Sequence, residues 1–371
     1  MPIQGRRESP RDPSGFFVRG DGGCGMRILL HEHFCSGGLA GQAADTSLLA
    51  VGAGMLRGLA EDFHVAGHDV TVVLDKMVLD SRVLDERAMF PLPGRVVTID
   101  AASPQHAHDA FDEALATVDA ALVIAPETDG LLVAAVERVE QAGVLNLGSS
   151  SMAVRDVSDK HALGQRLHAQ GVVVPLGELG LEHASGMIAR FGEVVVKPNC
   201  GAGCVDTYAC RSAADIARLP HRTDWLVQPR IHGSAASVAF ILSRSGQPIP
   251  LRAGMQTVEI AGESVSGRLD YGGGRLPLTP ELERRAIRLG MAALPHLRGL
   301  HGLVGIDLVL SDTPAHDTLI EVNPRPTVAY AGLRRLARFS IPELMMGSQP
   351  KVVWHPGGVR YQADGRSELL S

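Results

Sequence analysis

The 371-residue sequence predicts two kinds of architecture in series, an α/β lobe and then a longer α+β region. Three observations carry that reading. From Arg27 to about residue 148, short apolar runs alternate with helix-like segments. From about residue 149 onward, strand candidates succeed one another with few helices between them. Towards the end of that series, two apolar strands carry acid and amide side chains in their interiors, at Asp307, Glu321 and Asn323.

The first 25 residues are rich in Pro, Gly, Arg and Asp and have no hydrophobic period, so they are expected to form a disordered tail. Met26 heads the first apolar run and is a candidate translation start. Runs at 27–30, 70–74, 95–99, 119–125 and 144–147 alternate with helix-like segments such as 48–64 and 129–142, the order of βα units around a parallel sheet. A Rossmann-like lobe follows from that order. Its first loop, His31 to Gly38, leaves the carboxyl end of the first strand, where open α/β sheets bind ligands; it is a candidate substrate contact or an ordinary connection. It lacks the GxGxxG spacing, which disfavours a nicotinamide oxidoreductase.

In the second region a helix near 158–170 precedes strand candidates at 194–198, 225–228, 237–243, 255–260, 304–310 and 318–323. A helix at about 280–297 is opened by Thr279 as N-cap and Pro280 behind it, with Glu281 and Glu283 in the first turn, where carboxylates suit the helix dipole. Asp270 to Arg275 (DYGGGR) is a candidate second glycine loop or a flexible connection. From Pro342 onward only Val352–Trp354 forms an apolar run, and this stretch is expected to wrap the outside.

The formal net charge of −6 provides no basic field to attract a polyanion, so general nucleic-acid binding is not expected and a small-molecule partner fits better. Five cysteines without paired CxxC spacing suggest reduced thiols in a cytoplasm. No apolar run reaches the ~18 residues of a spanning helix and no signal-peptide order opens the chain, so no membrane partner is expected.

Chemistry concentrates in the segments Gly302–Leu310 and Leu319–Pro326. Period-two alternation puts Glu321 and Asn323 on one strand face. If the turn Ser311–Asp317 is symmetric about Pro314, opposed residue numbers sum to 628, and Asp307 faces Glu321. Two opposed carboxylates on a half-buried sheet repel, so a cation belongs between them. Oxygen donors with no His or Cys suit Mg²⁺ bridging phosphates. In the alternative, Arg325 or Arg252 simply pairs with the two acids. Upstream, Lys197 ends a β-branched run and is followed by Asn199-Cys200-Gly201-Ala202-Gly203, a lysine and glycine loop able to hold phosphate oxygens, or else plain surface. Lys160 near a helix start is weaker by itself. The strand Trp225–Gln228 breaking at Pro229-Arg230-Ile231 can offer backbone groups to an adenine edge, or is a core strand running into a loop.

Taken in order, Lys160, Lys197 with Gly201 and Gly203, the hinge Gln228-Pro229-Arg230-Ile231, Asp307, and Glu321-x-Asn323 followed by Arg325 resemble the ATP-grasp superfamily over roughly residues 150–335. The resemblance implies a Rossmann-like N-terminal lobe followed by a two-lobed ATP-grasp domain. It divides the chain into a tail (1–25), an N-terminal α/β pre-ATP-grasp domain (26–148), the ATP-grasp domain (149–340) and a C-terminal extension (341–371). It implies that Lys160, Lys197 and the glycines bind ATP phosphates, that the hinge binds adenine, and that Asp307, Glu321 and Asn323 hold Mg²⁺, or Mn²⁺ in its place. Many members carry an acidic ribose contact just after the hinge glycine; here Gly233 is followed by Ser234-Ala235-Ala236-Ser237. The His31-Glu32 start, the Ser36-Gly37-Gly38 loop, Met55 to Phe63, and Glu321 to Thr327 are most similar to the tyramine-glutamate ligases of methanofuran biosynthesis.

The implied activity is an ADP-forming carboxylate–amine ligase acting through an acyl phosphate, with Lys197 and Arg325 catalytic and a small-molecule acid and amine as partners; a homodimer is compatible with it. A phosphotransferase on the same scaffold would keep every nucleotide residue. A nucleotide-binding regulatory protein would be expected to lose the metal carboxylates, and this chain has them.

Overall fold

The structure is a computed structural model describing residues 25–42, 45–80, 92–243, 247–261 and 266–370. The expected tail, but for Gly25, lies outside the described residues.

The N-terminal sheet is wholly parallel, with β1 (Arg27–Glu32), β2 (Asp69–Asp75), β3 (Arg95–Ile99), β4 (Ala120–Ile124) and β5 (Leu145–Asn146) in the order β3-β2-β1-β4-β5. These strands are apolar on both faces because helices cover both. Ile28, Leu30, Val70 and Val72 pack with Leu49, Leu56 and Phe63 of the helix Thr46–Val65. Leu29, Val73, Ala121 and Val123 pack with Phe111 of Pro104–Leu115 and Val136 of Leu131–Gln141. Asp45 caps the first of these helices by accepting from the Ser47 and Leu48 amides. The order reverses between β1 and β4, so the loops leaving those two strands flank the crevice at the topological switch point.

The second sheet is antiparallel. Its strands are β6 (Glu178–Leu179), β7 (Val194–Pro198), β8 (Tyr208–Cys210), β9 (Trp225–Pro229), β10 (Ser234–Leu242), β11 (Ile249–Ile260), β12 (Gly267–Leu276), β13 (Gly302–Leu310), β14 (Thr318–Asn323), β15 (Gly358–Gln362) and β16 (Ser367–Leu370). They run β14-β13-β10-β11-β12-β8-β7-β9-β6, with β15 added to β12 and β16 to β15. The helix Pro280–Ala293 lays Ala286 and Ala293 on Phe240, Val304 and Ile306, while Trp225, Val194, Val196 and Val227 form a separate small core with Ala184 of the helix Ala184–Phe191.

Several expectations change. The helix near 158–170 is two helices, Ser151–Ser158 and Lys160–Ala169, because Asp159 leaves helical geometry (ψ 94°) to cap the second by accepting from the Ala162 amide. Thr279 sits at the N-cap without a side-chain cap bond, and Glu283 pairs with Arg252 at 2.6 Å. The DYGGGR segment is no loop but the body of β12: a Cβ on Gly273 (φ +109°) would lie 2.2 Å from the Tyr361 carbonyl oxygen, so the glycines admit β15 at close range. The stretch from Pro342 does not merely wrap the outside, since β15 joins the sheet and buries Val359 and Tyr361.

The two lobes are stapled by Asp62, which accepts from Tyr330 Oη at 2.6 Å and from Arg334 at 2.7 and 3.0 Å. Leu56 and Leu59 share one apolar core with Tyr330, Leu333 and Tyr361. Among the described residues, no helix is long and apolar enough to cross a membrane.

Candidate active site

Asp307 and Glu321 are directly opposed across β13 and β14, as the hairpin arithmetic requires. The register that sums to 628 runs from Gly305↔Asn323 to Asp307↔Glu321, then slips at a bulge to Leu308↔Leu319. The symmetry thus holds at the acids and fails nearer the turn. Asn323 donates to Asp307 Oδ2 at 2.9 Å and Gln256 of β11 donates to Asp307 Oδ1 at 2.8 Å. Burial, and then the Glu321 charge, push the Asp307 carboxyl above its ordinary range.

The cations come from elsewhere in the chain. Lys160 Nζ donates to Gly201 O at 2.6 Å and lies 3.6 Å from Glu321 Oε2. Lys197 is buried at the end of β7, and burial lowers its ammonium to about 8 although Glu321 and Asp307 pull it upward. Asn199 binds the glycine loop to the start of the helix Lys160–Ala169: its carbonyl accepts from the Lys160 amide at 3.2 Å and its Oδ1 from the His161 amide at 2.9 Å. The next turn reverses through Gly203 at φ +65°. Lys160, Lys197, the loop of Gly201 and Gly203, Asp307, Glu321 and Asn323 are therefore one cluster, although the sequence spreads them over more than 160 positions.

Two hinge side chains, Gln228 and Arg230, are engaged away from it. Gln228 is buried and donates to Pro175 O at 2.6 Å, Arg230 pairs with Glu193, and Pro229 closes β9 against Val194, leaving Ile231 just beyond the strand end. Hydrogen bonds to an adenine there would fall to the backbone. Neither arginine is hydrogen-bonded to the acid pair: Arg252 is bound to Glu283, and Arg325 donates through Nη2 to Glu127 Oε2 at 2.9 Å while its charge acts on Asp307 and Glu321 from a distance. Arg325 Nε and Glu127 Oε1 are buried without a hydrogen-bond partner among the described residues.

The N-terminal lobe reaches the site from the two switch-point loops. Glu127 follows β4, and Glu32 ends β1; burial raises the Glu32 carboxyl to about 7 despite the Cys35 amide at 2.8 Å and the charge of Arg325. The rest of the His31–Gly38 loop is occupied within its own lobe, with His31 stacked on Phe111 at 4.1 Å and Ser36 Oγ donating to Val73 O. Position at the carboxyl ends of switch-point strands could have singled out Glu127. No spacing in the sequence points to Gln256.

Residues 157–329 match the ATP-grasp domain family, and residues 76–154 match the pre ATP-grasp 3 domain. The chain carries an ATP-grasp domain behind a pre ATP-grasp domain. It is 25% identical over 221 residues to the tyramine–L-glutamate ligase of Methanocaldococcus jannaschii, an alignment covering 58% of this chain and 59% of that one. This chain therefore spans about three-fifths of the length of that relative. An ATP-grasp superfamily protein from Archaeoglobus fulgidus has a similar fold, with a TM-score of 0.65 and 23% identity over 91% of this chain and 92% of that one. An L-amino acid ligase from Bacillus licheniformis shares the fold at a TM-score of 0.60 and 14% identity, over 91% of this chain and 79% of that one.

For an ATP-grasp protein the donor set can be tested against Mg²⁺. Among the described residues, no three or more His, Cys, Asp or Glu side chains form a metal cluster. What converges is two buried-face carboxylates and one amide. That set is too small for an all-protein cage, and it suits a cation that keeps waters and phosphate oxygens among its ligands, as Mg²⁺ does. The raised Asp307 carboxyl marks the same point as a place where added positive charge is favourable.

Proposed function

We propose that this ATP-grasp protein is a ligase that uses ATP to activate a carboxylate and joins it to an amine, releasing ADP and phosphate. The convergence of Lys160 and Lys197 on the opposed pair Asp307 and Glu321 supports it most strongly: phosphate-binding cations and metal-binding anions meet at one buried point. The reading divides the chain into the α/β lobe of 26–148, the ATP-grasp domain of 149–340 and an extension of 341–371 that completes the sheet.

Asp307, Glu321 and Asn323 would hold the Mg²⁺, which when bound neutralises charge on the phosphates and so favours phosphoryl transfer. Lys197 and Lys160 steady the phosphate oxygens, with Lys160 leaving Gly201 O to do so. Arg325, already fixed on one side by Glu127, has an unpartnered Nε–H to offer a substrate carboxylate or the transferring phosphoryl group. The carboxylate oxygen attacks the γ-phosphorus, giving an acyl phosphate and ADP. The amine then attacks the acyl carbon, and phosphate leaves with that carboxylate oxygen. The glycine loop of 201–203 and the switch-point loops bound the cluster, where exclusion of water would protect the intermediate.

Glutamate as acid and tyramine or a similar amine are the first substrates to try, because those are the compounds in the name of the Methanocaldococcus relative. The test is release of ADP and phosphate from Mg-ATP across a matrix of acids and amines. A ligase releases free phosphate only when both partners are present. A phosphotransferase would instead yield a stable phosphorylated acceptor with no amide, and that product would overturn the proposal.

A further inference from the structure

The metal-site reading above assigns three donors and leaves open what aims the first of them. Asp307 lies in a row across the sheet: it is paired with Ser237 of β10, and Ser237 with Gly254 of β11. Gln256 stands two residues along β11 from Gly254, so its side chain leaves the same face. The position over Gly254 is filled by the Leu276 side chain, which a Cβ there would meet at 2.6 Å, and the Gln256 amide crosses β10 diagonally to reach Asp307 Oδ1 at 2.8 Å. Asn323 holds the other oxygen, Oδ2, at 2.9 Å. Each Asp307 oxygen thus accepts from one neutral amide, one from β14 and one from β11.

We propose that Gln256 is a positioning residue of the metal site, holding Asp307 in the orientation in which it meets a nucleotide-bound divalent cation. The inference rests on the assignment of Asp307 as a metal donor. A carboxylate with one free torsion would have to be ordered at the moment of binding; one already clamped at Oδ1 keeps its remaining lone pairs directed at the cation. A neutral amide serves here where Lys or Arg would not, because a cation at position 256 would compete with the metal for Asp307. Gly274, the partner of Gln256 on β12, has the Tyr361 phenol over it, where a Cβ would lie 2.6 Å from Tyr361 Oη.

The test is titration of Mn²⁺ into the full chain with saturating ADP, followed by the electron paramagnetic resonance signal of free Mn²⁺, with thermal melting in parallel. Gln256→Met removes the donor at similar volume and is expected to weaken Mn²⁺ binding about tenfold, the lower end of the effect of losing such an outer hydrogen bond, while metal-free ADP binding and the melting temperature stay unchanged. Gln256→Glu, which sets a third carboxylate against Asp307, should weaken metal-free stability and leave an altered Mn²⁺ spectrum. If Asp307→Asn abolishes Mn²⁺ binding and Gln256→Met leaves it as in the native protein, the positioning role is overturned. If Asp307→Asn itself binds Mn²⁺ normally, the metal assignment fails and the inference with it. Should Gln256→Met not fold, Gln256→Asn, which keeps an amide too short to cross β10, carries the same two outcomes.

Discussion

At the scale of single residues, the opposed acids make the sharpest demand. Asp307 and Glu321 repel across a non-polar strand pair, and Glu321 also faces Lys160 at 3.6 Å. Asp307→Asn is expected to abolish turnover while raising metal-free stability by up to ~1 kcal/mol, the size of a cross-strand like-charge term, as read by melting with chelator present; Glu321→Gln is expected to abolish turnover without that gain, because it also strips the counter-charge from Lys160. Two buried neighbours at the end of β1 make a second prediction. Glu32 titrates near 7 in the folded chain against an ordinary 4.5, so the folded state holds more protons between those values. Its contribution is present below 4.5 and lost as pH rises through about 7. His31 is depressed by burial to about 3 from 6.5, so its contribution is present above 6.5 and lost as pH falls through about 3. The two slopes oppose each other between 4.5 and 6.5. Glu32→Gln should therefore stabilise the protein more at pH 8 than at pH 4.5, and should expose a rise in melting temperature across the His31 window. An equal gain at both pH values would contradict the account.

At the scale of elements, what could be read from the sequence was what strand period and local punctuation control. Asp307 opposite Glu321 followed from a two-residue period and a turn centred near Pro314; the bulge that shifts Leu308 onto Leu319 did not, because nothing local to the sequence marks it. Lys197 and its glycine loop were legible as a strand end. β12 was misread as a loop because three consecutive glycines signal flexibility when considered alone, whereas here they serve close strand packing decided by a partner about 90 residues away. β15 and β16 were missed for the same reason, being short strands whose partners are β12 and the helix Tyr330–Leu336. Gly273→Ala tests this. At φ +109° and with the Tyr361 carbonyl 2.2 Å from the new Cβ, it should cost more than ~1 kcal/mol and expose the C-terminal hairpin to limited proteolysis.

At the scale of the whole molecule, the α/β lobe contributes residues to the proposed site as well as supporting it. The strand order 3-2-1-4-5 puts the ends of β1 and β4 at one crevice, and from there Glu127 crosses to Arg325, 198 positions away in sequence. Such a pairing has no period or spacing to reveal it, so the expectation that Arg325 is catalytic came without the Glu127 that anchors one side of its guanidinium. Glu127→Gln should accordingly reduce turnover far more than ADP affinity, since the proposed nucleotide site around Lys160 and Lys197 does not depend on it; equal losses in both would mean that Glu127 only fastens the lobes together. The Asp62 staple to Tyr330 and Arg334 already provides that fastening.

The central claim is that a carboxylate is activated at this site by becoming an acyl phosphate. The most direct measurement supplies the acid with its carboxylate oxygens labelled with ¹⁸O, in the presence of Mg-ATP and the amine, and analyses the phosphate released by mass spectrometry. The account predicts one labelled oxygen in each phosphate formed along with amide. Amide formed with unlabelled phosphate would contradict it, because the acid would then have been activated by some route other than attack of its own oxygen on the γ-phosphorus.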